Sequence, residues 1–512
     1  MGRQASKHVA ASAGGPVASP PVTPAVPPCA KDPTDLPPRL SRSGADQPGN
    51  AVAPHPGKEA IADKPTAFTL ADAELQELWQ VIFGFEPEDD DVDRWLRSAF
   101  NFVGAGGDSI DGQSLPCPWG LRQELGGPCG VYAVIQAYIV RELLWGESGD
   151  GDCKALPRSP SAASTDVGTD SDGETGTTTS GSSTPRSPAA AQTLPEAVPE
   201  RKDEVHNACC EALLAERFTQ VNERDLLACV IARILHAAAP ASRYLWCEVR
   251  SRSEAAKREF SSAGALREWL AGEEGLGISP CPMMSFVGSL VLTRGIDVIR
   301  TDMDDACVPL VGVFGHCSQE LTNLCLTGCA VTNVFDGDLT FEDGPDVLKL
   351  KGIQESPDVG FLSALEPLKL CEVGKLLKNP RYPLWVVASA THYTMLFSDH
   401  CSANHLASGS WATEALCSGC CCTRSAVGDG AGAVAKLLHF NGKDFGADRP
   451  ALVPVHLLRP LAGGPASSAA CLTGDQDSRL FAEVLRCRWP EAEVSYPAIG
   501  DTAGEGSPPR IN

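Results

Sequence analysis

The residues best suited to chemistry lie in "GLRQELGGPCGVYAVIQAYIVRELLW", residues 120 to 145. Cys129 stands between Pro128 and Gly130 and opens a segment that is apolar on nearly every face. Such a segment reads as a helix buried in a core. Its amino end is then fixed and presents unpaired N–H groups and a partial positive charge. A cysteine placed there is expected to have its thiolate stabilised and its pKa lowered, which makes a nucleophile. Gly126 and Gly127 carry no side chains, so a substrate backbone is expected to approach closely. For an isolated cysteine, a structural thiol in a Gly/Pro turn would be the simpler account; its neighbours decide otherwise.

A thiol hydrolase needs a histidine to take the thiol proton and return it to the leaving amine. The chain has ten. His8 and His55 fall in a Pro/Ala/Gly-rich arm, and His400 and His405 in a cysteine-rich segment. His206 and His236 sit on helical patterns, His316 just before the helix start "CSQELTNL", and His439 and His456 in or near strands. His392 is different. "YPLWVVASATHYTMLFS" reads as strand, short turn, strand, with His392 opening the second strand. Strands of that kind carry the base in papain-like sheets. Papain-like thiol hydrolases also place a glutamine six residues before the nucleophile, as Gln123 stands before Cys129. Its amide and the Cys129 N–H would then bind the oxyanion that develops on the attacked carbonyl.

Helices followed by strands must position these groups. "LADAELQELWQVIFG" has Leu70, Leu75, Leu78, Trp79 and Ile82 at helical spacing. "EPEDDDVD" reads as a solvated acidic loop. Helical patterns recur in "EVHNACCEALLAERF" and "ERDLLACVIARILHAAA". "SFVGSLVLTRG", "VPLVGVFG", the His392 hairpin and "AKLLHFNG" read as β-rich. The order predicts an α+β fold with a largely antiparallel sheet. Residues 1–66 read as a disordered arm, 67–498 as the catalytic domain and 499–512 as a disordered tail. The domain carries a low-complexity insert at 147–202 and a cysteine-rich insert at 399–433.

A net charge of -23 excludes a basic nucleic-acid footprint. No run approaches the roughly 18 consecutive apolar residues that span a bilayer, and "MGRQASKHVAASAGG" has no secretory apolar core. The 21 cysteines are therefore expected to be mostly reduced and buried, in a cytoplasmic or nuclear protein. "MGRQAS" fits the N-myristoylation pattern, with Gly2 as acceptor. One acyl chain gives only weak membrane contact. Cys417 and Cys420 form half of a zinc site without a clean second pair. No metal or organic cofactor is expected.

Longer segments extend the comparison. "ELWQVIFG", "GLRQELGGPCGVYAVIQ", "SQELTNLCLTGCAVTNVFDG", "LKGIQESPDVGFLSALEPLKLCEVGKLLKNPRYPLWVVASATHYTMLFS" and "LRCRWPEAEVSY" resemble, in order, the MINDY family of deubiquitinases, in particular its longer branch with a "GGPCG" active-site segment. The matches cover most of residues 70–146, 204–398 and 434–497. The resemblance implies a papain-like core, thiol-dependent hydrolysis of isopeptide bonds in polyubiquitin and a preference for lysine-48-linked chains. It implies Cys129 as nucleophile, His392 as base and Gln123 as oxyanion residue. A polar residue on the strand after the base should orient the imidazole; "LLHFNGKD" offers Asn441, with Asp444 as second choice. Two alternatives stay open: a ubiquitin-binding module without turnover, and a thiol hydrolase acting on another ubiquitin-like modifier.

Overall fold

The computed structural model describes residues 66–103, 109–110, 113–114, 117–146, 210–343, 346–398, 434–443, 452–458 and 476–496. All of them belong to one compact unit, Asp63–Asn512. Residues 1–65 of the expected arm, both expected inserts and the tail lie outside the described residues, and with them Gly2, Cys417, Cys420 and Asp444.

After β1 (Phe68–Thr69) comes α1 (Asp72–Phe83), which buries Leu75, Leu78, Val81, Ile82 and Phe83 and ends at Gly84, whose φ is 85°. Of the expected acidic loop, Glu86–Glu88 are non-helical, but from Asp89 on the stretch is a helix, α2 (Asp89–Arg97). Asp89, Asp90 and Asp91 fill its first turn, where the exposed N–H groups favour negative charge. Val92 and Trp95 are its buried face. The short pairs β2 (Asn101–Phe102) with β5 (Leu121–Arg122), and β3 (Ser109–Ile110) with β4 (Gln113–Ser114), precede α3 (Cys129–Trp145). Every α3 residue from Cys129 to Arg141 is buried, as its unbroken apolar surface predicts.

Next come α4 (Cys210–Thr219) and α5 (Glu223–Ala238). The Asn222 side chain caps α5 by accepting from the Arg224 and Asp225 N–H groups. The hairpin β6 (Tyr244–Ser251) and β7 (Glu254–Phe260) receives β1 on its β7 edge. α6 (Ala263–Ala271), α7 (Pro282–Arg294) and α8 (Ile296–Asp302) follow. "SFVGSLVLTRG" is therefore the body of a helix and not a strand. Buried on all sides, it shows no amphipathic period, and its β-branched content imitates a strand. "VPLVGVFG" likewise forms no strand. It contributes one bridge, Val311 to Cys317, and a tight turn at Val313–Gly315. α9 (Gln319–Thr327) starts as expected, with Ser318 capping the Leu321 N–H.

A hairpin, β8 (Leu339–Asp343) with β9 (Asp346–Leu350), precedes the main sheet. That sheet consists of β10 (Gly360–Ser363), β11 (Leu384–Ala388), β12 (Tyr393–Ser398), β13 (Val434–Phe440), β14 (Leu452–Leu458) and β15 (Glu493–Ser495) in that order. Only β10 and β11 pair in parallel. α10 (Lys375–Lys378) lies between β10 and β11, and α11 (Gln476–Arg488) precedes β15. Alternate residues divide between two cores. Val386, Met395, Phe397, Leu438 and Phe440 join the large core that contains α3. Trp385, Val387, Leu396, Leu437 and Val455 pack with Phe481, Val484 and Leu485 of α11. The fold is α+β with a mostly antiparallel sheet. Among the described residues, no single helix is long and apolar enough to cross a membrane.

Candidate active site

The amino end of α3 is held by the loop before it. Gly127 has φ 116°, and a Cβ there would stand 3.1 Å from both the Gly315 carbonyl oxygen and Trp95 Nε1. Trp95 Nε1 donates to that same Gly315 oxygen at 2.8 Å. Glycine is thus required at 127 by the protein's own packing, without appeal to a substrate backbone, whereas a Cβ at Gly126 would meet only Arg94 Nη1, at 3.6 Å. Gln136, an amide in the buried middle of α3, accepts from the Leu121 N–H at 2.6 Å and donates to the Trp119 carbonyl at 3.4 Å. It ties β5, and hence the run-up to Gln123, to the helix.

Cys129 is 3% exposed. Its Sγ lies 3.7 Å from the Gly127 carbonyl oxygen, and the buried Cys317 Sγ lies 3.6 Å from the same atom. Burial pushes the Cys129 thiol up. The Tyr393 N–H, the charge of Lys443 and the N–H groups of Gly130 and Cys129 itself oppose that shift without overcoming it. The helix start does aim donors at the sulfur, as expected. Desolvation of the thiolate outweighs them, and the expected lowering of the pKa is corrected to a rise. Cys117, Cys247, Cys281 and Cys325 are buried free thiols too, in line with the sequence expectation.

His392 sits where a tight turn delivers β12. Its N–H donates to Ser389 Oγ at 3.0 Å, and its carbonyl accepts from the Ser389 N–H at 2.8 Å and from the Ser389 hydroxyl at 3.0 Å. The ring Nε2 is 3.1 Å from Asn441 Oδ1, just beyond the end of β13. The Lys443 N–H also points at Asn441 Oδ1, at 3.1 Å. A backbone donor there requires that atom to be the amide oxygen, so the imidazole carries its hydrogen on Nε2. Nδ1 is then a bare acceptor, and among the described residues nothing hydrogen-bonds to it. Burial, and after it the charge of Lys443, lower the His392 pKa to about 4, against the opposing hydrogen bond from Asn441. At neutral pH the thiol and the imidazole are both uncharged.

Gln123 is 7% exposed. Its N–H donates to the Gly442 carbonyl at 3.1 Å, and its Nε2 donates to the Leu125 carbonyl at 2.8 Å. One amide hydrogen is thereby engaged within its own loop. The structure brings Gln123, His392 and Asn441 together through the Asn441–Lys443 turn, and it brings the Cys129 sulfur to the N–H of Tyr393, the residue after His392. Among the described residues, no group of three or more His, Cys, Asp and Glu is placed to hold a metal ion. Sequence reasoning missed Ser389, Gln136, Tyr393 and Lys443. Gln136 had a usable signal, an amide in an apolar helical run; the others become visible only when the sheet is assembled.

The family model for the conserved domain of the deubiquitinating enzyme MINDY-3/4 matches residues 276–415. That span includes His392 and β12 but neither Cys129 nor Asn441. The ubiquitin carboxyl-terminal hydrolase MINDY-3 of Xenopus tropicalis is 31% identical over 289 residues, 55% of this chain and 57% of that protein. The Homo sapiens MINDY-3 is 41% identical over 143 residues, 28% of this chain and 31% of that protein. The probable ubiquitin carboxyl-terminal hydrolase MINDY-4 of Homo sapiens is 28% identical over 349 residues, 67% of this chain and 38% of that protein. The chain thus spans between about a third and little more than half the length of the curated relatives it matches. No solved structure matches it.

Proposed function

We propose that this chain, which is similar over part of its length to the MINDY-3/4 deubiquitinases, is a member of that family: a cysteine-type deubiquitinase with a papain-like catalytic core, hydrolysing isopeptide bonds in polyubiquitin, with lysine-48-linked chains as its substrate. The observation that carries this reading is the His392 ring. Its Nε2 is engaged by Asn441, while its Nδ1 is an unengaged acceptor on the turn whose next N–H meets the Cys129 sulfur. Cys129 then serves as nucleophile, His392 as base and Asn441 as the group that fixes the imidazole's tautomer and orientation.

The resting pair is uncharged, so the thiol must pass its proton to His392 in the course of the reaction. His392 Nδ1 takes the thiol proton as Cys129 Sγ bonds to the isopeptide carbonyl carbon. Negative charge moves to the carbonyl oxygen, and the Cys129 N–H with the remaining Gln123 amide hydrogen would stabilise it. The imidazolium, disfavoured by its burial, gives the proton to the departing lysine amine as the C–N bond breaks. Water, deprotonated by the same Nδ1, attacks the thioester and releases the ubiquitin carboxylate and the thiol.

The test is ubiquitin carrying an electrophilic C-terminal group, together with lysine-48-linked chains. The wild-type protein should form a covalent adduct on Cys129 and cleave the chains, and a folded Cys129→Ala variant should do neither. A folded wild-type protein that binds chains but gives no adduct and no cleavage would instead be a ubiquitin-binding module.

A further inference from the structure

The turn after β13 touches both halves of the catalytic centre. Asn441 Oδ1 meets the His392 ring and the Lys443 N–H, each at 3.1 Å. The next residue, Gly442, accepts the Gln123 N–H at 3.1 Å, and a Cβ on it would stand 3.1 Å from the Leu121 carbonyl oxygen. The backbone of 441–443 is therefore clamped between the histidine strand and the glutamine segment. The Lys443 side chain leaves this clamp exposed, and among the described residues no carboxylate forms an ion pair with it.

We propose that Lys443 is a positioning residue of the centre: its N–H fixes the amide orientation of Asn441, and its ammonium supplies positive charge for the anionic forms of Cys129. The inference rests on the reading of Cys129 as nucleophile. Lys443 is the cation that favours the Cys129 thiolate and disfavours the His392 imidazolium. The other titratable groups facing the thiol are Cys317 and Tyr393, with Glu320 near Tyr393, and His439 faces His392. None of these is a cation at neutral pH, because burial holds His392 and His439 neutral. The same charge serves two steps. It favours the developing oxyanion at the start, and it makes the imidazolium a stronger acid toward the leaving amine at the end.

The experiment follows alkylation of Cys129 by iodoacetamide against pH, read by mass spectrometry on the full chain as wild type, Lys443→Gln and Lys443→Arg. All three keep the residue 443 N–H, so they separate charge from the backbone contact. Lys443→Gln should react several-fold more slowly near neutral pH and converge with wild type where the thiol is fully ionised. Lys443→Arg should restore the wild-type curve, and high salt should shrink the difference, because the charge is exposed. If burial makes the reaction too slow, thiolate absorbance, taken as each variant minus its Cys129→Ala counterpart, reads the same displacement. Superimposable wild-type and Lys443→Gln curves, or no rescue by arginine, would overturn the proposal. Neither readout needs turnover. Failure of the deubiquitinase reading would appear separately, as folded wild-type protein that binds chains but neither cleaves them nor forms the ubiquitin adduct.

Discussion

At the residue scale, the candidate centre leaves particular atoms unengaged. His392 Nδ1 is bare because Asn441 occupies Nε2 and Ser389 occupies the backbone. Gln123 is subtler, since its Nε2 already donates to the Leu125 carbonyl and one hydrogen remains for an oxyanion. Gln123→Ala should lower turnover of lysine-48-linked chains by about 100- to 1,000-fold, the usual loss for one oxyanion donor. It should cost only about 1 kcal/mol of stability, from the lost bond to Leu125. Ubiquitin affinity should change little, because the donor acts mainly in the transition state. Near-normal turnover in this variant would show that the six-residue offset from Cys129 is coincidental.

At the element scale, the joint between α7 and β6 shows how a buried helix can serve a strand. Ser285, Ser289 and Thr293 recur every four residues along one face of α7. Their hydroxyls accept from the Val249, Cys247 and Leu245 N–H groups at 2.9, 2.7 and 3.0 Å. These donors face the helix instead of another strand, so without the hydroxyls they would be buried unpaired. Ser289→Ala should therefore destabilise the protein by about 1–3 kcal/mol, the cost of a buried unsatisfied donor. A denaturant titration would read this as a lower midpoint, with catalysis by the folded fraction retained. An unchanged midpoint would mean that the Cys247 N–H finds another partner. The same spacing was available in "SFVGSLVLTRG" as a helical signal, concealed by its valines and leucines.

At the scale of the whole molecule, two buried neutral imidazoles couple the fold to pH. His392 is held at about 4 and His439 at about 3, both mainly by burial. In the unfolded chain each takes up its proton near 6.5. Between those values the unfolded state binds more protons, so stability is fully present above about pH 6.5 and falls as the pH drops through the folded pKa. For His392 the displacement corresponds to about 3 kcal/mol. The two losses do not simply add, because each charge disfavours the other. Thermal melting should show the midpoint falling steadily from about pH 6.5 to about pH 4. A flat midpoint across that window would show that the imidazoles are not buried neutral.

The sequence by itself determined the groups whose identity is written in local pattern. Cys129 at the head of an all-apolar helix, His392 opening a strand after a short turn and the α+β class were legible because spacing and composition encode them, whereas Asn441 was one of two candidates and only the assembled sheet places it against His392. The tertiary structure decided what depends on surroundings. The acidic run at 89–91 is a helix start because a helix dipole receives it. "SFVGSLVLTRG" is a helix because it is buried on every side and lines β6 with hydroxyls. The thiol at Cys129 is neutral because packing leaves it 3% exposed. A one-dimensional pattern shows the donors at a helix end but not the loss of water around them. Burial is a property of the assembled core, and here it outweighs the dipole.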